Sequence, residues 1–98
     1  MSDSAAKVQG RERSRNELVE RFAPVLDEVC HELVGAFWKF PSFNSPHEGW
    51  AVIREELDEL WEHVKANEGH TAEAQQEALQ IAAMACRYVL DLTNEEAL

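Results

Sequence analysis

Apolar residues return at helical spacing along most of this chain, and nowhere at the alternating spacing of a strand. From about Ser14 to Trp38, the residues Leu18, Phe22, Val25, Val29, Leu33 and Phe37 recur at steps of three and four. Pro24 falls inside that run. It withdraws one backbone donor, and because the stripe continues past it we expect a kinked helix rather than a stop. Residues 39–46, KFPSFNSP, hold two prolines, two serines and an asparagine and read as a loop, with Phe40 and Phe43 tucked beneath it.

The next helix is announced by its start. Ser45 is a suitable N-cap, Pro46 suits the first helical position, and Glu48 stands where a capping box places its acid. The helix should run to about Ala66 and end near Gly69, with Ile53, Leu57, Leu60 and Val64 as a narrow core seam. A third helix begins after Thr71 and reaches about Leu92. Its apolar face is wide and rich in alanine, which allows close helix approach, and one polar stripe remains: Glu73, Glu77, Gln80, Arg87 and Asp91. The fold expected is all-α: an antiparallel bundle of three main helices per chain. Residues 1–12 read as a frayed tail and 13–98 as a single domain.

A chain of 98 residues buries only roughly 60–70 % of its unfolded surface, so self-association is expected to complete the core. The net charge of −10 disfavours a broad surface for nucleic acid or anionic membrane. No secretory leader and no run of about 18 apolar residues is evident, so a cytoplasmic protein is expected. Cys30 and Cys86 lack CxxC spacing and read as small buried hydrophobes in a reducing compartment.

The acids are concentrated. Residues 55–62 hold Glu55, Glu56, Asp58, Glu59 and Glu62 without a basic residue among them. Glu56 and Glu59, three apart, share a helix face at the edge of the seam, with His63 nearby. Glu77 and Gln80 repeat that spacing on the third helix. If the two helices pack antiparallel, the pairs converge into three carboxylates and an amide oxygen, the hard donor set that Mg²⁺ or Mn²⁺ takes. A cation would relieve the mutual repulsion that otherwise raises their pKa values.

These motifs, EELDE over Glu55–Glu59 and EALQ over Glu77–Gln80, together with the stretch KFPSFNSPHEGWAVIREELDELWEHVK, resemble the MazG-type all-α nucleoside triphosphate pyrophosphohydrolases. In particular they resemble the small stand-alone proteins of that family found in phages and mobile gene cassettes. The likeness spans about Lys39 to Leu92. It implies a helical dimer or tetramer that cleaves an NTP or dNTP to the monophosphate and pyrophosphate. It also implies that Glu56, Glu59, Glu77 and position 80 hold the metal, and that Glu55 orients or deprotonates the attacking water.

Two positions depart from the family's pattern. Gln80 stands where it has aspartate, and Glu73 where many members have lysine. This leaves two readings, a branch with a different ligand set or a retired active site. For the leaving pyrophosphate the candidate cations are Arg87, then Lys65 and Lys39. Trp50, Trp61 and Tyr88 could stack a base, and Asn44 and His47 could read base or phosphate groups. The alternative function is a non-catalytic acidic helical dimer that binds a basic partner. Glu28 and His31 form a single ExxH, too little for a di-metal carboxylate site within one chain.

Overall fold

The computed structural model describes residues 3–93, with side chains from Ser14 onward. Among them are three α-helices and no strand: α1 (Asp3–Lys39), α2 (Pro46–Lys65) and α3 (Ala72–Leu92). The all-α class expected from the sequence is what the described residues show. Pro24 lies within α1, which continues on both sides of it. A tail was expected over residues 1–12 and a helix from about Ser14, whereas α1 already begins at Asp3.

The two later helices start where their caps direct. The Ser45 hydroxyl accepts from the Glu48 amide at 3.1 Å, and the Thr71 hydroxyl accepts from the Ala74 amide at 3.2 Å. Only half of the expected capping box forms, because the Glu48 carboxylate turns to Asn44, whose Nδ2 donates to it at 3.1 Å. At the end of α2, Asn67 rather than Gly69 takes the left-handed conformation, with φ of 60°. The Glu68 amide then donates to His63 O and the Asn67 amide to Val64 O, the paired bonds of a Schellman turn.

α3 is the central helix. It packs against both α1 and α2, whose backbones do not approach each other. The residues that meet give the directions. Glu32 reaches Gln76 and Gln80, and the Ala36 carbonyl reaches Arg87, so α1 and α3 run the same way. Gly49 lies under Tyr88 while Glu56 and Glu59 reach Glu77, so α2 runs opposite to α3. A Cβ at position 49 would stand 2.7 Å from the Tyr88 ring, so glycine there sets how closely α2 and α3 approach.

The core is thin. Ala36, Ala83 and Met84 form its centre, with Leu33, Phe43, Val52 and Ile53 packed against them. The α2 seam is rotated from the one expected. Val52, Ile53 and Leu60 are half-buried, whereas Leu57 and Val64 are exposed and line a shallow apolar groove with Trp50 and Trp61. Much of α1 is also uncovered, including Phe22, Val25 and Leu26, and Trp38 is 82 % exposed. Cys30 and Cys86 are exposed rather than buried.

The radius of gyration is 17.9 Å. A compact chain of about this length has roughly 13 Å. The excess comes from α1: at about 1.5 Å per residue it is nearly twice as long as either partner helix. No described helix is long and apolar enough to cross a membrane.

Candidate metal centre and adjoining cleft

The antiparallel packing of α2 on α3 brings Glu56, Glu59 and Glu77 together. One carboxylate oxygen from each lies within 4.8 Å of the other two. Glu56 and Glu59 come from adjacent turns of α2, and Glu77 projects from the second turn of α3. Glu56 and Glu77 are half-buried and Glu59 is exposed, so the cluster is open to water on one side.

Its electrostatics follow from that packing. The Glu56 carboxyl is pushed up from 4.5 to about 7, first by burial, then by the charge of Glu59 and by the hydrogen bond with and charge of Glu77. The Glu59 carboxyl is also raised, chiefly by its hydrogen bond with the Glu77 side chain, then by burial and by the Glu77 charge. Without a counter-charge, Glu56 and Glu59 each hold a proton more readily than a free carboxyl does.

The donor set fits a hard divalent cation. An octahedral ion with bonds of about 2.1 Å needs ligand oxygens roughly 3–4 Å apart, which a small contraction of this triad provides. The donors are all oxygens, which suits Mg²⁺ or Mn²⁺ better than a softer metal. The fourth expected ligand, Gln80, lies one turn beyond Glu77 on α3, but its amide nitrogen is turned to α1, where it donates to Glu32 Oε2 at 2.5 Å. Glu32 also accepts from Gln76 Nε2 at 2.6 Å. Sequence reasoning did not single out Glu32. The available signal was its register, three residues after Val29 and four before Ala36, both buried, which puts a carboxylate on the inward face of α1.

Beside the cluster lies a cleft of about 440 Å³ between α1 and α2, floored by α3. Its apolar walls include Phe40, Phe43, Val52 and Met84. Its polar groups include Glu32, Lys39, Glu48, Glu55, Glu56 and Gln80. Lys39, in the last turn of α1, and Glu55 therefore line the same cleft as Glu56, the one member of the cluster that faces it.

Arg87 lines the cleft as well, but its polar atoms are already engaged. It is 2 % exposed, and its guanidinium is held by several acceptors at once. Nη1 donates to Ala36 O at 3.1 Å and Phe40 O at 3.0 Å, while Nε and Nη2 both reach Asp91 Oδ2 at 3.0 Å. Its guanidinium also lies over the rings of Phe37 and Phe43. Asp91 accepts in addition from the Phe43 amide at 3.0 Å. Arg87 thus caps the end of α1 and pins the following loop, and it has little left to offer a phosphate.

The other expected substrate residues divide. Lys65 pairs with Glu62 at 2.9 Å at the far end of α2, outside the walls of the cleft. Trp50 lies in the outward apolar groove of α2, with Arg54 over its ring at 5.9 Å, and Trp61 shares that groove. Asn44 holds Glu48, a residue of the cleft wall, and His47 is exposed. Tyr88 packs over Gly49. Comparison with protein families, with curated proteins and with solved structures finds no match for this chain.

Proposed function

We propose that this chain is a Mg²⁺-dependent nucleoside triphosphate pyrophosphohydrolase that cleaves an NTP or dNTP to the monophosphate and pyrophosphate. The observation that carries the reading is the convergence of Glu56, Glu59 and Glu77, with Glu56 also lining a cleft walled by both apolar and charged groups. It is supported by the resemblance of the EELDE and EALQ motifs to the MazG-type enzymes.

Glu56, Glu59 and Glu77 would hold the cation. When bound, it would neutralise phosphate charge and acidify a coordinated water. The chain's own groups divide the remaining work. Glu55 accepts the proton of the attacking water, whose oxygen forms a bond to the α-phosphorus as the bond to the departing pyrophosphate breaks. Lys39, across the cleft, meets the phosphate charge in the role first assigned to Arg87. Phe40, Phe43, Val52 and Met84 give the base an apolar surface, and Glu48, held by Asn44, presents acceptors beside it.

The working unit is proposed to be a homodimer or homotetramer. The uncovered apolar residues of α1 and the Trp50–Val64 groove of α2 are the surfaces a second copy would cover.

The test is incubation with Mg²⁺ and a panel of NTPs and dNTPs, with products resolved by anion exchange. Monophosphate and pyrophosphate should appear together, and Glu59→Gln should abolish them while the helical circular dichroism spectrum persists. No turnover across the panel with either Mg²⁺ or Mn²⁺ would overturn the reading and favour a non-catalytic binding module.

A further inference from the structure

We propose that Glu32 is a positioning residue for Gln80: it orients the Gln80 amide and restores, from α1, the negative charge that position 80 lacks. The inference rests on the reading of Glu56, Glu59 and Glu77 as cation ligands.

An ionised carboxylate accepts hydrogen bonds and donates none. Each oxygen of Glu32 meets one amide nitrogen of α3, Oε1 at 2.6 Å from Gln76 and Oε2 at 2.5 Å from Gln80. Gln76 and Gln80 are four residues apart, so one helix face presents both donors to one carboxylate. That contact fixes which way the Gln80 amide points. A flip would set its oxygen against Glu32 and exchange a charge-assisted hydrogen bond for repulsion. The amide oxygen is left as the free end, and none of the described hydrogen bonds reaches it.

A neutral glutamine beside three acids is a poor substitute for a carboxylate on two counts: it carries no charge, and it can present either end. The Glu32 contact answers both. Glu32 is half-buried, lines the same cleft as Glu56 and Gln80, and has no basic partner among the described ion pairs. Its charge is met only by amides and so adds to the field that draws a cation to the site. This is the relation of an outer residue to a ligand that its hydrogen bond orients.

The experiment is Mn²⁺ titration of the full chain, followed by the loss of the free-ion paramagnetic resonance signal, for the wild type, Glu32→Gln and the exchange variant Glu32→Gln/Gln80→Glu. Loss of such an outer partner costs about 10- to 100-fold in affinity. Glu32→Gln should therefore bind Mn²⁺ at least about tenfold more weakly. The exchange variant should recover most of that loss, because its new carboxylate stands at position 80 with the amide introduced at position 32 facing it. Helical circular dichroism of each variant checks that the fold is kept, and the recovery in the exchange variant separates positioning from damage to the fold. Wild-type affinity in Glu32→Gln, no recovery in the exchange variant, or no Mn²⁺ binding by the wild type would each overturn the proposal. Nucleotide turnover is read separately. A chain that binds Mn²⁺ through this network and hydrolyses nothing would refute the pyrophosphohydrolase and support the role of Glu32.

Discussion

The raised Glu56 carboxyl makes the stability of the metal-free protein depend on pH in an unusual direction. The Glu56 carboxyl titrates near 4.5 when the chain is unfolded and near 7 when it is folded. Between those values the folded state binds more protons than the unfolded state, so the contribution of Glu56 is fully present below about 4.5 and is lost as pH rises through 7. At about 1.4 kcal/mol per unit, the whole shift would correspond to about 3 kcal/mol. Glu56 is only half-buried and water screens its neighbours, which leaves about 1 kcal/mol. In a domain of this size that is a fall in melting temperature of roughly 4–8 °C. The assay is thermal denaturation followed by circular dichroism at pH 5, 6, 7 and 8 in chelator. The wild type should lose several degrees between about pH 5 and 7.5, Glu56→Gln should lose much less, and millimolar Mg²⁺ at pH 8 should restore the wild type alone. Superimposable profiles for the wild type and Glu56→Gln would refute the reasoning, because the pH dependence would then come from groups outside the cluster.

Two further outcomes are expected. Arg87→Ala leaves Asp91 buried without its partner and frees the carbonyls of Ala36 and Phe40, so the urea midpoint should fall by the equivalent of about 3–5 kcal/mol. Arg87→Lys should recover little, since an ammonium lacks the planar fork that serves three acceptor groups at once; a midpoint unchanged in either variant would contradict the clamp. Trp50→Ser with Trp61→Ser removes the two largest side chains of the uncovered α2 groove, and sedimentation velocity should show the assembly shifted toward monomer; an unaltered sedimentation coefficient would move the interface elsewhere.

The local features of the fold could be read from the residues alone, and the features that depend on one helix meeting another could not. Ser45, Pro46 and Thr71 mark helix starts because a cap is a matter of a few adjacent residues, and the structure begins α2 and α3 there. The Glu56–Glu59–Glu77 cluster was accessible for a related reason. The i,i+3 pair of α2 meets the first member of the α3 pair once the helices pack antiparallel, while Gln80 turns to Glu32. The rotation of the α2 seam was not accessible, because Leu57 and Val64 have the same spacing whether they face a helix or water. Arg87 looked like a surface cation on a polar stripe. Only the approach of the end of α1 supplies the two carbonyls that bury it. Glu32 was hidden in the same way, since its partners lie 44 and 48 residues along the chain. Cys30 and Cys86 fell on apolar patterns yet face outward, on helix surfaces that a single chain leaves uncovered.

With α1 and α2 touching α3 but not each other, the molecule is like two leaves hinged on one spine. The leaves are clasped at one end, where Arg87 and Asp91 bind the last turn of α1 and the loop that follows it. Farther along, the spine turns inward a small side chain, Ala83 at 0 % exposed, in the cluster with Ala36 against which Val52 and Ile53 pack, so one residue stands between the two leaves. The aperture of the cleft thus depends on a residue that does not face it, and a bulkier side chain at position 83 is expected to widen the gap between Lys39 and Glu55 without altering either of them.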